Sequence, residues 1–411
     1  MNTSSGVEAE NRVDVLRILI IWRAQFLGAH GGMERVCSNM ANHFCRNGDE
    51  VEILYCNKND GGTPYFPLEN KVKLVNMLSG IKDGHRRAFP FWAGCVREFL
   101  RVFNKDSMFT FVSKRKNGVL KIPVRKEIER FHPQVIVSFD PETTLLVRES
   151  LGYEYGTPVI TMFHFPLSHS IRNKSGAEYK AIQSSYASQL LTEDAEQEFQ
   201  KVFPRAKSVC IPNVVLPCDR PADLRHKKDH RIVYVARFGR DTKRQHILVR
   251  AFSTLAARFP EWQLYVYGSH GDKYAASITN FIHEKELDRQ IHVEPPTKDI
   301  YAVYRMGDIV GFPSAYEGFG LALAEAMNAG LPAVGFRSSA GVNRLIEDGV
   351  NGLLADDSID SFADKLKLLM ESESLRVKMG ENARKSVKRF LPDQVWKQWD
   401  NLLQEAVRDG K

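Results

Sequence analysis

The chain has 411 residues, of which 43% are hydrophobic and 26% are charged. This length predicts two or three domains, and the composition excludes disordered, collagen-like and coiled-coil proteins. Lys and Arg number 57 against 50 Asp and Glu, and the formal net charge of +7 suits a phosphorylated ligand or an anionic membrane surface without requiring nucleic acid.

The first half of the chain has the pattern of a parallel, helix-covered sheet. LRILII (16–21) predicts a buried strand, and a loop with Gly31 and Gly32 leads into a predicted helix at 33–46. The strand VEILYC (51–56) follows this helix. Further strands are predicted at 73–77, 134–139, 158–163 and 206–211. Strand, glycine loop, helix and strand in this order predict a Rossmann-like unit.

Residues 80–130 depart from this pattern. They hold 13 Lys or Arg against 5 Asp or Glu. The aromatic residues between them are Phe89, Phe91, Trp92, Phe99, Phe103, Phe109 and Phe111. Anionic headgroups attract basic side chains and rings embed at the interface, so this insertion predicts a peripheral membrane contact. The alternative is a helical insertion with inward-packed rings and a solvated basic face; no nucleic-acid module signature accompanies it.

The second half repeats the α/β rhythm. Strands are predicted at 231–236, 263–268, 291–294, 308–314, 331–336 and 352–356, with helices at 247–259 and 321–328. A proline-rich, charged connector between the halves predicts a domain boundary. We therefore expect a polar tail at 1–13, a first domain at 14–212, a second at 213–392 and a last helix at 393–411.

Cysteine spacing and hydropathy set the expected compartment. None of the six cysteines stands in a CxxC pair, and no His, Cys or carboxylate cluster has metal-ligand spacing, so we predict reduced thiols and no metal. The N-terminus lacks the order of a signal peptide, and no stretch reaches the about 18 apolar residues that cross a bilayer. A cytoplasmic protein is expected, with any membrane contact peripheral and at the inner face.

The segment PSAYEGFGLALAEAMNAGLPAVGF (313–336) carries the most specific pattern. Glu317 precedes a Gly-Phe-Gly turn, and Glu325 lies eight residues later in a short helix. Gly318 and Gly320 allow close backbone approach, and the N–H groups of the helix N-terminus suit a phosphate. Carboxylates repel a phosphate, so we expect these two to accept hydrogen bonds from hydroxyls. Together the features predict a nucleotide-sugar site.

The form EGFGLALAEAMNAGLP resembles the retaining glycosyltransferases of family 4, and the resemblance extends over most of the chain. It implies GT-B architecture: two Rossmann-like α/β domains face each other across a cleft, the first binding the acceptor and the second the donor, with the last helix crossing back. In the family the first glutamate holds the donor sugar and the second the ribose, which assigns these roles to Glu317 and Glu325. Backbone amides of Phe319, Gly320 and Leu321 would contact sugar and phosphate.

A second match to the family lies in the loop VARFGRDTKRQ. Arg237 directly follows a predicted strand and Lys243 stands six residues on, the spacing at which the family's Arg and Lys reach the diphosphate. Negative charge grows on the leaving nucleoside diphosphate as the glycosidic bond breaks, so two fixed cations stabilise the transition state in place of a metal. Arg240 and Arg244 are alternatives in the same loop.

The first half carries three further candidates. His164 lies just beyond a predicted strand, where ligands of open α/β sheets bind, and it resembles the family's active-site histidine at the donor hexose. Gly31 and Gly32 resemble the family's glycine loop near the diphosphate. Asp140 and Glu142 also follow a predicted strand and are candidate acceptor-binding residues.

The resemblance implies a metal-independent hexosyltransferase. It would move galactose, glucose or an N-acetyl form of either from a UDP-sugar, its co-substrate, to a hydroxyl of a growing, lipid-linked glycan, with retention and without a cofactor. The turn Gly341-Val342-Asn343-Arg344, in place of the common Gly-Val-Pro-Glu, narrows the resemblance to enzymes of bacterial polysaccharide or lipopolysaccharide assembly. The alternatives are a GT-B sugar-nucleotide epimerase and a catalytically silent scaffold that binds a glycan through residues 80–130.

Overall fold

Two parallel β-sheets, each covered by helices, organise the chain. The computed structural model describes residues 15–58, 61–81, 95–100, 105–171, 174–225, 227–269 and 271–410. The predicted α/β class with two Rossmann-like units is confirmed, because every strand in both sheets pairs with its neighbours in parallel. The predicted tail at 1–13 lies outside the described residues.

The first sheet has seven strands in the order β3-β2-β1-β4-β5-β6-β7. Their bounds are β1 Arg17–Ile21, β2 Glu50–Tyr55, β3 Lys73–Asn76, β4 Val135–Ser138, β5 Val159–Met162, β6 Ala187–Leu190 and β7 Ser208–Cys210. The sequence patterns did not predict β6, whose four residues ASQL are all buried although two of them are polar. The Gln189 side-chain amide donates to the carbonyl of Leu190 at 3.2 Å and to that of Ile211, whereas its Oε1 and the Ser188 hydroxyl are buried without a hydrogen-bond partner among the described residues.

Helices connect these strands on both faces of the sheet. They are α1 Gly32–Arg46, α2 Lys105–Gly118, α3 Lys121–Phe131, α4 Pro141–Leu151, α5 Leu167–Ile171, α6 Gly176–Gln183 and α7 Glu193–Val202. Four of the aromatic residues that predicted a membrane contact, Phe89, Phe91, Trp92 and Phe103, lie outside the described residues. Within the described ranges, no helix is both long and apolar enough to cross a bilayer.

The second sheet has six strands in the order β10-β9-β8-β11-β12-β13. They are β8 His230–Val235, β9 Trp262–Tyr267, β10 Ile291–Glu294, β11 Ile309–Phe312, β12 Ala333–Phe336 and β13 Gly352–Ala355. Its helices are α8 Gln245–Ser253, α9 Lys273–Glu284, α10 Ile300–Met306, α11 Leu321–Asn328, α12 Ile359–Glu371, α13 Glu373–Ser386 and α14 Pro392–Asp409, with a 3₁₀ turn at Lys388–Phe390. The helix predicted at 247–259 ends early, at Ser253, and continues as turns.

The strand order places a ligand crevice in each sheet. In both, the first strand lies between the second and the fourth, β1 between β2 and β4 and β8 between β9 and β11. Ligands of such sheets bind outside the carboxyl ends of the strands where the order reverses. The loops after β1, β5, β8 and β11, which carry the predicted site residues, leave from those ends.

Helix α14 follows the second sheet in sequence but packs on the first unit. The Trp396 ring stacks on His43 of α1 with centroids 4.5 Å apart. At the far end of the helix, Asp409 accepts a hydrogen bond from the Tyr186 hydroxyl at 2.7 Å. The buried face of α14, which includes Trp399, is part of the largest hydrophobic cluster. These contacts tie the two units together, and Trp396 and His43 also line the cavity described below.

Candidate functional site

A cavity of about 1710 Å³ lies between the two sheets. Its lining includes these predicted site residues: Gly31, Gly32, His164, Arg237, Lys243, Glu317, Gly318, Phe319, Gly320, Leu321 and Glu325. They come from four separate stretches of sequence, and the fold brings all of them to one cleft. Their individual roles stay predictions.

Lys243 and Glu317 form an ion pair in this cleft, with Nζ 2.5 Å from Oε1. Backbone hydrogen bonds hold both loops in place. The N–H of Ala315, two residues before Glu317, donates to the carbonyl of Thr242 at 2.8 Å. The hydroxyl of Tyr234 donates to the Lys243 carbonyl at 2.8 Å. The predicted diphosphate cation and the predicted hexose carboxylate are therefore direct neighbours.

Glu325 forms an ion pair across the cleft with Arg35 of α1, Nη2 to Oε2 at 2.6 Å. The Glu325 side chain is only 3% exposed. Burial raises its pKa to about 7, although Arg35 acts in the opposite direction. The Arg35 guanidinium also lies 5.8 Å from the ring centre of Phe66. The sequence patterns did not single out Arg35, because nothing local to α1 indicates that this residue meets a carboxylate 290 positions away.

The N-terminus of α1 carries its own carboxylate. Gly31 is the N-cap and, being glycine, has no side chain that could accept from the N–H groups of the helix. The Glu34 carboxylate, in the first turn, instead lies beside the backbone N–H groups of Gly31 and of Glu34 itself. A Cβ atom on Gly31 would overlap this carboxylate. Burial raises the pKa of Glu34, while these N–H groups and the nearby Arg237 act to lower it.

The N-terminus of α11 is built differently. Gly320 caps it with φ +81°, a left-handed conformation that favours glycine. The first turn, Leu321 to Ala324, contains no acidic residue, so its N–H groups have no carboxylate of their own helix to accept from them. Gly318, just before, lies so close to the His164 carbonyl that an added Cβ would overlap it. The loop that carries Glu317 thus touches the first unit directly.

His164 is buried at the end of β5, and its ring centre lies 4.7 Å from that of Phe139. Burial lowers its pKa to about 4, so the ring is neutral near pH 7. Its Nε2 atom is buried and has no hydrogen-bond partner in the part of the chain that the structure describes. A buried polar atom without a partner is costly, and a ligand hydroxyl in the cleft would satisfy it.

Asp140 and Glu142 lie outside the lining of this cleft. Asp140 is the N-cap of α4 and accepts from the Thr143 N–H at 2.7 Å. Glu142 pairs with Lys174 at 2.8 Å and with Arg23. Acceptor binding by these two carboxylates stays a prediction, and the contacts they make are those of a helix cap and an ion-pair network. The dipeptide Asp140-Pro141 is itself a helix-start signal.

Arg344, in the turn that departs from the common family pattern, contacts the first unit. Its guanidinium pairs with Asp194 at 2.6 Å and donates to the Thr192 hydroxyl at the N-terminus of α7. This residue therefore links the two units. Across the described ranges, no three His, Cys, Asp or Glu side chains cluster as metal ligands, and all six cysteines are free thiols.

Two family models match the chain one after the other. Residues 30–216 match "Glycosyltransferase Family 4" and residues 219–386 match "Glycosyl transferases group 1". An uncharacterized glycosyltransferase of Haemophilus influenzae is 23% identical over 92% of this chain and 97% of its own length. The amylovoran biosynthesis glycosyltransferase AmsD of Erwinia amylovora is 23% identical over 91% of this chain and 96% of its own.

Solved structures show the same architecture. TarM from S. aureus, in complex with fondaparinux, α-GlcNAc-glycerol and UDP, has a TM-score of 0.72 at 15% identity, over 95% of this chain and 100% of its own. The lipopolysaccharide outer core galactosyltransferase WaaB has a TM-score of 0.64 at 19% identity, over 95% and 99%. Anabaena HepE in complex with UDP-glucose has a TM-score of 0.68 at 17% identity, over 95% and 100%. At these identities the likeness establishes the fold.

Proposed function

This chain is a family 4 glycosyltransferase of GT-B architecture, and on that premise we propose that it transfers a hexose from a UDP-sugar to a glycan hydroxyl with retention of the α configuration. The observation that carries the proposal is the convergence of His164, Arg237, Lys243, Glu317 and Glu325 in one cleft. Two carboxylates, two cations and one neutral imidazole match the hydroxyls and the diphosphate of a nucleotide sugar.

The neighbours supply the support for uridine and for polysaccharide assembly. Both TarM and HepE were solved with UDP or a UDP-sugar, AmsD is named for amylovoran biosynthesis, and WaaB is named as a lipopolysaccharide outer core galactosyltransferase. The acceptor we propose is a lipid-linked saccharide of cell-surface polysaccharide or lipopolysaccharide synthesis. In this proposal residues 80–130 hold the enzyme at the membrane, and co-sedimentation with vesicles of anionic against neutral lipid tests that contact.

The ion pairs suggest how the donor is bound. The Lys243 and Glu317 side chains are 2.5 Å apart. A nucleotide sugar that binds between them therefore replaces their ion pair with one contact to each side chain. Hexose hydroxyls donate to Glu317, and the diphosphate takes the ammonium of Lys243. Arg237, exposed in the cleft, provides the second cation. The charge that develops on the leaving UDP is stabilised by groups already in place, which is the condition for electrostatic catalysis.

The acceptor hydroxyl attacks the anomeric carbon on the face that UDP leaves. A phosphate oxygen of the departing UDP takes the proton of that hydroxyl, the new glycosidic bond forms and the bond to UDP breaks. His164 is neutral near pH 7 and donates or accepts a hydrogen bond at the hexose without competing for this proton. A glycosyl adduct trapped on any side chain of the enzyme would contradict this mechanism.

A thermal-shift panel with UDP, GDP, ADP and the common UDP-hexoses tests the donor. Ligand at 100 times its dissociation constant stabilises the folded protein by about 2.7 kcal/mol, so a clear upward shift is expected with UDP and with one UDP-hexose. A shift with GDP or ADP alone would overturn the uridine assignment. No shift with any nucleotide would favour a silent scaffold, and the anomeric coupling constant of the product in NMR decides retention.

A further inference from the structure

The two residues predicted to hold the donor hexose each have an aromatic neighbour in sequence. Phe165 follows His164, and Tyr316 precedes Glu317. Both aromatic side chains line the cleft. His169 of α5 bridges them, because its ring centre lies 5.6 Å from that of Phe165 and 5.7 Å from that of Tyr316. We call Phe165, His169 and Tyr316 the aromatic lip.

The lip is exposed although its backbone is well held. The Phe165 side chain is 44% exposed. Its carbonyl accepts from the Ser170 hydroxyl at 3.2 Å, and the preceding His164 carbonyl packs against Gly318. The N–H of His169 donates to the Pro166 carbonyl at 3.0 Å. The rings are therefore presented to solvent by a fixed loop.

The position of the lip distinguishes it from the nucleotide site. The carboxylate predicted to bind ribose, Glu325, pairs with Arg35 on α1, whereas the lip is contiguous in sequence with the two hexose residues. An acceptor must reach the anomeric carbon of the donor hexose, so its own ring has to lie beside that hexose. Phe165 and Tyr316 supply apolar cleft surface directly next to the two residues proposed to hold that hexose.

We infer that the aromatic lip is the acceptor subsite and binds the C–H face of a pyranose ring of the acceptor saccharide. A pyranose presents C–H groups on its faces and hydroxyls on its edge. Aromatic rings bury the former while leaving the latter to hydrogen-bond elsewhere. The lip consists of rings, with neither Lys nor Arg, so a lipid phosphate would find no counter-charge in it. The inference rests on the proposed function, since it presumes a donor hexose between His164 and Glu317.

Saturation-transfer NMR on the full chain tests the inference. The probes are the methyl α- and β-pyranosides of glucose, galactose, N-acetylglucosamine and N-acetylgalactosamine, each with saturating UDP. In the wild type we expect saturation of the C–H protons on one face of at least one glycoside. Phe165→Leu removes the ring and keeps an apolar side chain, so affinity should fall about tenfold. Phe165→Tyr keeps the ring and should bind within twofold of wild type.

Leu368→Ala is the matched control, because it also shortens an exposed apolar side chain, 47% exposed on α12, that does not line the cleft. It should bind glycosides like wild type, and calorimetry should give all four proteins UDP affinities within twofold of one another. Wild-type UDP binding together with equal glycoside binding by Phe165→Leu, or with no glycoside binding at all, would overturn the lip alone. Absence of UDP binding by the wild type would overturn the proposed function and the lip together.

Discussion

The two units of the fold each bring a glycine-capped helix N-terminus to the cleft, and the two termini differ in what they offer a ligand. At α1 the cap is Gly31, and the Glu34 carboxylate lies beside the backbone N–H groups of Gly31 and Glu34. At α11 the cap is Gly320, and the first turn has no acidic residue. Both termini line the same cleft.

This difference indicates which unit binds the diphosphate. A helix N-terminus attracts an anion through its N–H groups and its dipole. A carboxylate beside those groups competes with an anion for them and adds a repelling charge. The sequence predicted backbone approach at Gly31 and Gly32 and at the turn before α11 alike. For the donor that we propose, α11 with Arg237 and Lys243 is therefore the better place for the phosphate oxygens.

The largest expected effect concerns the cations proposed to bind the diphosphate together with the N-terminus of α11. Lys243→Ala should lower kcat for hexose transfer about 10² to 10³-fold, because it removes a fixed charge that meets the leaving diphosphate. The matched control is Arg240→Ala, since Arg240 belongs to the same loop but does not line the cleft. Its kcat should stay within twofold of wild type. A larger loss of kcat for Arg240→Ala than for Lys243→Ala would contradict the prediction and would place the diphosphate contact at Arg240.

The next effect concerns Glu325 in α11. Glu325→Gln should weaken UDP binding about tenfold, the value of one hydrogen bond to a charged group. In the wild type, affinity should fall as the pH drops below about 7, because the pKa of Glu325 is raised to about 7 and its protonated form is a poorer acceptor for ribose hydroxyls. The phosphate of UDP also titrates near pH 6. Calorimetry therefore compares the pH dependence of UDP affinity in the wild type with that in Glu325→Gln, and identical pH profiles for the two proteins would contradict the prediction.

The same raised pKa has a consequence for stability. A carboxyl whose folded pKa lies above its unfolded value of 4.5 favours the folded state most at low pH, and this contribution is lost as the pH rises through about 7. The free energy of unfolding of the wild type should therefore show a decline over this range that is absent in Glu325→Gln. Urea titrations at pH 5, 6, 7 and 8 measure it.

A smaller effect compares the glycines at the two termini. Gly320→Ala forces a side chain into φ +81° and places it 3.2 Å from Leu345, so it should destabilise the fold by about 1–2 kcal/mol and lower Tm by several degrees. Gly32→Ala is the control, because no atom lies within 4 Å of its added Cβ. Its Tm should match wild type. Equal melting temperatures for the two variants would show that the left-handed cap carries no strain.

The smallest effect is expected at Glu34. Glu34→Gln should strengthen UDP binding two- to fivefold, because it removes a charge next to Arg237 and leaves the α1 N-terminus without its own anion. Glu50→Gln, an exposed residue at the start of β2 that does not line the cleft, should leave affinity unchanged. Weaker UDP binding by Glu34→Gln would contradict the prediction, because it would mean that the Glu34 carboxylate contacts the ligand.

The sequence predicted twelve of the thirteen strands because each is an apolar run bounded by turn residues, and burial of such runs is a local property. The exception, β6, has Ser188 and Gln189 at buried positions, so no apolar run marks it as a strand, and the Ile211 carbonyl that accepts from the Gln189 amide lies just beyond the neighbouring strand β7. The helix predicted at 247–259 is longer than the observed one for a different reason. Its periodicity continues past Ser253, where the backbone turns instead.

By itself the sequence determined the two α/β units, the family, and the residue types gathered at the ends of β5, β8 and β11. The tertiary structure decided which side chains are neighbours. It pairs Arg35 with Glu325 and Lys243 with Glu317, places Glu34 at its own helix end, and joins Phe165 to Tyr316 through His169. Hydrophobic periodicity and turn chemistry act over a few residues and can be read along the chain. Contacts across the cleft depend on how two separately folded sheets are placed, which no short stretch of sequence encodes.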